Sequence, residues 1–156
     1  MKKSFCLIFL IVFSFISFAQ SKEETANWII SKTSEHQVDL AGKRNYFIYE
    51  GEIIMEWYID DKIAYTKTLP IKSITEIKID SDKNRIQFIL SCKDYCGKDK
   101  KYINDKIDKI ENVKSIIIMI DANDETLINR MPKSILHLIK LSGGLAKLIN
   151  QKKEPF

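Results

Sequence analysis

The chain has two histidines, and each sits beside groups that can share a proton or a metal ion. His36 follows Glu35 and precedes Asp39 in a polar stretch. That mix suits acid–base work or a bound cation. A lone loop histidine among acidic neighbours also suits plain solvated surface, and no second histidine shares the element. His137 lies between Lys133 and Lys140. Two ammonium groups repel a metal, so His137 is expected to face solvent. Asp121, Asn123, Asp124 and Glu125 offer oxygen ligands for calcium. They lack the turn glycine and the correctly spaced bidentate glutamate of a calcium loop. A polar link between a strand and a helix accounts for them. Glu52 and Glu56 share one strand face, but at four residues they stand about 13 Å apart. Paired-carboxylate hydrolysis needs a closer pair. No nucleophile elbow, zinc-binding helix or phosphate-binding glycine loop is present. No catalytic, cofactor-binding or metal-ligating residue is therefore assigned, and no cofactor is expected.

Cys92 and Cys96 are the two cysteines outside the first 19 residues. In an oxidising compartment they can pair as a structural disulfide. The alternatives are two free thiols, or a redox or metal site. A Cys-x3-Cys spacing lacks the redox signature and has no second ligand pair for zinc.

The compartment is suggested by the start, MKKSFCLIFLIVFSFISFAQ. Lys2 and Lys3 precede an apolar run from Phe5 to Phe18, and Ser17 and Ala19 are small residues placed for cleavage before Gln20. This pattern predicts a secretory signal over residues 1–19. The run is about 14 residues, short of the roughly 20 that span a bilayer, so no stable transmembrane anchor is expected after cleavage. Cys6 opens the run instead of following it, which argues against a lipid anchor. The expected location is periplasmic or extracellular.

Of 156 residues, 137 remain after cleavage at residue 19. That length suits one domain with one core, over residues 20–156. The formal charge falls from +4 to +2 once Lys2 and Lys3 are gone. A near-neutral chain gives no case for a nucleic-acid partner.

The elements that must hold any site read as α+β. Ser21 and Glu24 form a capping box for an N-terminal helix with a thin apolar stripe, expected to dock loosely on a sheet edge. Six or seven mostly antiparallel strands follow as a meander or roll. Tyr46–Tyr49, Ile53–Ile59, Ile63–Leu69, Ile74–Asp80 and Ile86–Cys92 alternate as strands, with a tight turn at Asp60-Asp61. Lys93–Lys101 is expected as a solvated loop, leading to a short strand at Lys101–Ile103. The spacing of Ile103, Ile107 and Ile110 then favours a helical or irregular turn. Ser115–Ile120 is apolar on both faces, which predicts a central or covered strand. Asn129–Gly144 predicts an amphipathic C-terminal helix packed on the sheet, with Asn129 as cap, Pro132 in the first turn and Gly143-Gly144 as exit. Leu145–Ile149 would add a last turn, and the tail Gln151–Phe156 is expected to fray unless Phe156 docks.

Tyr46, Phe47, Tyr49, Trp57, Tyr58 and Tyr65 make the first hairpins rich in aromatics. They serve either core packing or an exposed surface for a partner.

Leu69-Pro70-Ile71-Lys72-Ser73-Ile74, running into Glu76–Asp80, resembles the strand, proline turn and strand step of pleckstrin-homology-like domains. That resemblance implies a binding scaffold closed by a C-terminal helix. His137–Gly144 (HLIKLSGG), with Lys153-Glu154-Pro155-Phe156, resembles the end of small exported proteins of unknown function from Gram-negative bacteria. The chain departs from that pattern at Ser142, where a cysteine is expected, and at Pro132. That family has no assigned activity, so no site residue carries over.

The expected function is an exported, non-catalytic binding or adaptor domain for a protein, lipid or glycan partner. The alternatives are a small envelope enzyme whose site is scattered over the strands, or a structural or stress protein of the cell envelope.

Overall fold

A computed structural model describes residues 21–38 and 42–149. Residues 1–19, expected as a signal, Asp39 and the tail with Phe156 lie outside the described residues. The order is α1 (Lys22–Glu35), β1 (Lys43–Tyr49), β2 (Glu52–Ile59), β3 (Lys62–Pro70), a 3-10 turn (Ile71–Ser73), β4 (Ile74–Ser81) and β5 (Arg85–Cys92). Then come β6 (Gly97–Ile103), β7 (Lys106–Val113), β8 (Ser115–Asp121), α2 (Thr126–Leu141) and β9 (Lys147–Ile149). The α+β class holds, with nine strands among the described residues in place of six or seven.

The strands form two sheets. One has five strands in the order β1-β2-β3-β6-β7, the other four in the order β8-β5-β4-β9. Every pairing is antiparallel except β4 with β9. The chain first crosses between sheets at Pro70, which ends β3 and leads into the 3-10 turn carrying buried Ile71. It crosses back through Lys93–Cys96, where Cys92 and Cys96 are joined as a disulfide. It returns at Lys114, whose carbonyl accepts the Cys92 N–H at 2.9 Å.

The core lies between the sheets and the helices. Phe88, Ile86 and Leu90 from β5 meet Ile116, Ile118 and Ile120 from β8 and Ile53 and Leu69 from the larger sheet. From α2, Leu127, Met131, Ile135, Leu138 and Ile139 are buried, one stripe at helical spacing. Each such side chain contributes about 1.5–3 kcal/mol. The α1 capping box is formed in both directions, Glu24 N–H to Ser21 Oγ at 3.0 Å and Ser21 N–H to Glu24 Oε2 at 2.7 Å. Thr25, Ala26, Ile29 and Thr33 bury against α2 and β1, so α1 docks on a helix as well as on an edge strand.

Four expectations are corrected. The C-terminal helix starts at Thr126, not after Asn129. Asp124, one residue before the Glu125 cap position, accepts from Thr126 N–H at 2.9 Å, while Glu125 makes no side-chain cap bond. Leu127, one turn before Met131, anchors the earlier start. Pro132 is thus interior, and its burial offsets a missing N–H that costs about 3 kcal/mol. Second, Ile103, Ile107 and Ile110 mark a hairpin, not a helix. Asn104 and Asp105 turn it with φ of 51° and 60°. A bulge at Asp108 lets Ile107 face Tyr102 while Lys109 faces Lys101. The extra residue puts Ile107 and Ile110 on one face at a spacing of three, which imitates a helix. The solvated loop is correspondingly shorter, because β6 begins at Gly97. Third, of the two readings for β8, central or covered, the central one fails: β8 is an edge strand of its sheet, with Ile116, Ile118 and Ile120 buried on one face and Ile117 and Met119 walling a cleft on the other. Fourth, the residues after Gly144 add the strand β9, not a helical turn. Gly143 does exit the helix at φ 80°. Gly144 serves differently, since a Cβ there would lie 2.8 Å from the Lys72 carbonyl.

Candidate functional site

A cleft of about 220 Å³ opens where the five-stranded sheet meets β8, lined by Arg44, Met55, Trp57, Tyr65, Lys67, Asp99, Ser115, Ile117 and Met119. Strand alternation and register build its floor. One cross-strand row runs Arg44, Trp57, Tyr65 and Lys101. The next runs Tyr46, Met55, Lys67 and Asp99. The larger sheet extends past the edge of β8 here, so these inward-facing residues lack a full cover. Ile117 and Met119 form the opposite wall, which is why β8 is apolar on both faces.

Trp57 and Tyr65 stack with ring centroids 5.5 Å apart and planes inclined by 28°. The Arg44 guanidinium carbon lies 5.0 Å from the centre of a Trp57 ring, a cation–π contact. Its Nη1 reaches the Met119 sulfur at 3.6 Å. Lys67 Nζ meets Asp99 Oδ2 at 3.2 Å. The other Asp99 oxygen, Oδ1, is buried without a hydrogen-bond partner among the described residues, as is Trp57 Nε1. Gly42, at φ 123°, packs against that indole nitrogen, where a side chain would clash. A buried acceptor left unpaired is costly.

Tyr46 fixes the cleft's far wall. Its hydroxyl donates to the Ile117 carbonyl at 3.1 Å and accepts the Met119 N–H at 3.2 Å. Burial raises its pKa above the usual phenol value, partly offset by the Met119 N–H and by Arg44.

The residues singled out from the sequence are dispersed. His36 Nδ1 lies 3.4 Å from Asp121 Oδ1, and its carbonyl accepts the Asp121 N–H at 2.9 Å. It ties the end of α1 to the end of β8. Glu35 bonds Lys32 and Ser31, and these hydrogen bonds lower its pKa. His137 is half-buried, not fully solvent-facing, while Lys133 and Lys140 are exposed. Asp121 accepts from Asn123 N–H and Asp124 from Thr126, so both serve the turn into α2. Among the described residues no three His, Cys, Asp or Glu side chains group as a metal site. Glu56 accepts from the Tyr58 hydroxyl at 2.6 Å, which raises the Tyr58 pKa. Of the aromatics, Tyr46 is buried, Phe47 and Tyr49 are exposed, and Trp57 and Tyr65 floor the cleft.

Sequence reasoning placed Trp57 and Tyr65 on alternating faces but missed Arg44, Lys67, Asp99 and Met119. A signal was present. Tyr65, Lys67 and Leu69 share a face, so a charge interrupts an inward row. The partner Asp99 lay hidden in a stretch expected as loop.

Among the described residues no helix is long and apolar enough to cross a membrane. Comparisons of the chain with protein-family models, with curated proteins and with solved structures give no match.

Proposed function

We propose that this chain is an exported, non-catalytic binding domain whose cleft takes a saccharide residue. One observation carries the reading: the Trp57–Tyr65 floor lies beside an Asp99 oxygen that is buried and unpaired. A sugar ring has a C–H face that suits the electron-rich face of an aromatic ring. It also has hydroxyls that can donate to Asp99 Oδ1 and accept from Arg44 and Lys67. A volume of about 220 Å³ admits one such ring. Two cations and one carboxylate line the cleft, which favours a sugar bearing a carboxylate. Neither histidine lines it, and the one lining carboxylate, Asp99, is engaged by Lys67 at 3.2 Å. Binding therefore fits the site better than turnover.

The Leu69–Asp80 resemblance to pleckstrin-homology-like scaffolds supports a binding role, with the two sheets read as halves of a roll. The leader-like residues 1–19 support export, and intact-mass measurement of the secreted protein would show a start at Gln20.

The test is an array of neutral and carboxylate-bearing saccharides, followed by fluorescence titration of a Trp28→Phe variant, which leaves Trp57 as the only tryptophan. Acidic saccharides should shift the Trp57 emission saturably. Tyr65→Ala and Asp99→Asn should each weaken binding about tenfold or more. An array with no binder, or binding untouched by both variants, overturns the proposal.

A further inference from the structure

The strand β7 ends the five-stranded sheet, and no described strand lies beyond it. Seven of its eight residues are exposed. Ile107 is 51 % exposed and Ile110 55 %. Their face is shared, because Ile107 opposes Tyr102 and Ile110 opposes Lys100 on β6. An open edge with apolar side chains invites another strand, and proteins usually block it with charges, proline or a β-bulge; the β7 bulge, at Asp108, leaves the Lys109–Val113 stretch regular. Here Lys106 and Lys109 are balanced by Asp108 and Glu111, and no proline is present.

We infer that β7 is the seam of a homodimer, in which a second copy pairs antiparallel about a two-fold axis at Ile110. Register and charge select this axis over its neighbours at Lys109 and Glu111. A two-fold normal to the sheet sets every residue opposite one on the same face. With the axis at Ile110, the isoleucine meets its own copy. Lys109 then meets Glu111 of the second copy, and Glu111 meets Lys109 of the second copy. An axis at Lys109 sets lysine on lysine, and one at Glu111 sets glutamate on glutamate. Both are destabilising as directly opposed like charges.

The hairpin itself leaves this complementarity unmet. Within it Lys101 opposes Lys109 and Asp99 opposes Glu111, like against like. Lys109 and Glu111 relieve this only along their own strand, at 2.7 Å. A second copy supplies each with an opposite charge directly across. Ile107 flanks Ile110, so two isoleucines from each copy line one face of the seam. The product is a ten-stranded sheet continuous through both copies, with the Asp108 bulge outside the three central residues.

The test is light scattering on the size-fractionated, exported full chain over a dilution series, with circular dichroism confirming the fold of each variant. A concentration-dependent dimer is expected, with Ile110→Lys monomeric throughout. Lys109→Glu and Glu111→Lys should each raise the dissociation constant about tenfold, since each change acts at two symmetric contacts. The double variant K109E/E111K should restore it. A monomer at every concentration overturns the inference. So does a dimer insensitive to Ile110→Lys, or a double variant no tighter than the singles. The seam lies apart from the saccharide-binding test, since Ile110→Lys leaves every cleft residue in place.

Discussion

The Tyr46 hydroxyl accepts the Met119 N–H at 3.2 Å while donating to the carbonyl two residues earlier. A side chain from an edge strand of one sheet thereby occupies the open edge of the other. Tyr46→Phe leaves that N–H and the Ile117 carbonyl without their partner. The expected loss is about 1–3 kcal/mol, measured by urea unfolding.

Alkaline pH tests the same contact. Burial raises the Tyr46 pKa, so the folded state holds the phenol proton more tightly than the unfolded state. The associated stability is complete below the unfolded phenol value and is lost as pH rises through the folded one. Tyr46→Phe should show a smaller decline of stability above pH of about 10 than the parent chain.

Asp124 gives the acid counterpart. Hydrogen bonds from the Thr126 side chain and backbone lower its pKa. Its contribution is present above the unfolded carboxylate value and is lost as pH falls through the depressed folded one. Asp124→Asn keeps a capping oxygen but cannot titrate. Its melting temperature should fall less than that of the parent chain between neutral pH and the acid range.

The Cys92–Cys96 bond closes a short loop at a crossing between sheets. Chain-entropy arithmetic for five residues gives about 2 kcal/mol. Cys92→Ser with Cys96→Ser should lose about that much, and a reductant should lower the parent's melting temperature without moving the double variant's.

Gly144→Ala places a methyl group against the Lys72 carbonyl and Ile139. A loss of about 1–3 kcal/mol is expected from overpacking. Gly51→Ala tests backbone strain instead, since that position has a φ of 80° and open space around it.

Local chemistry made much of this fold legible. The Ser21–Glu24 box, the Asp60-Asp61 turn and the strand alternation from Tyr46 to Cys92 depend on neighbours in sequence, and each stands where its residues place it. What escaped depends on distant pairing. The Asp108 bulge turned a strand face into helical spacing, and only β6 reveals it. β8 allowed a central or a covered reading because Ile117 and Met119 face a cleft that local sequence does not announce. Pro132 suggested a helix start, while the buried Leu127 extended the helix past it. The site was least legible, because Arg44, Trp57, Lys67 and Asp99 come from four strands and meet only through register.

The overhang of the larger sheet beyond β8 has a consequence for how this protein can change. Ile117 and Met119 only partly cover Trp57, Tyr65, Lys67 and Asp99, whereas Ile53 on β2 and Leu69 on β3 are fully packed. Under the proposed binding role, exchanges at the former four would retune recognition while the packed halves of β2 and β3 keep the architecture intact, separating what the molecule selects from what keeps it folded.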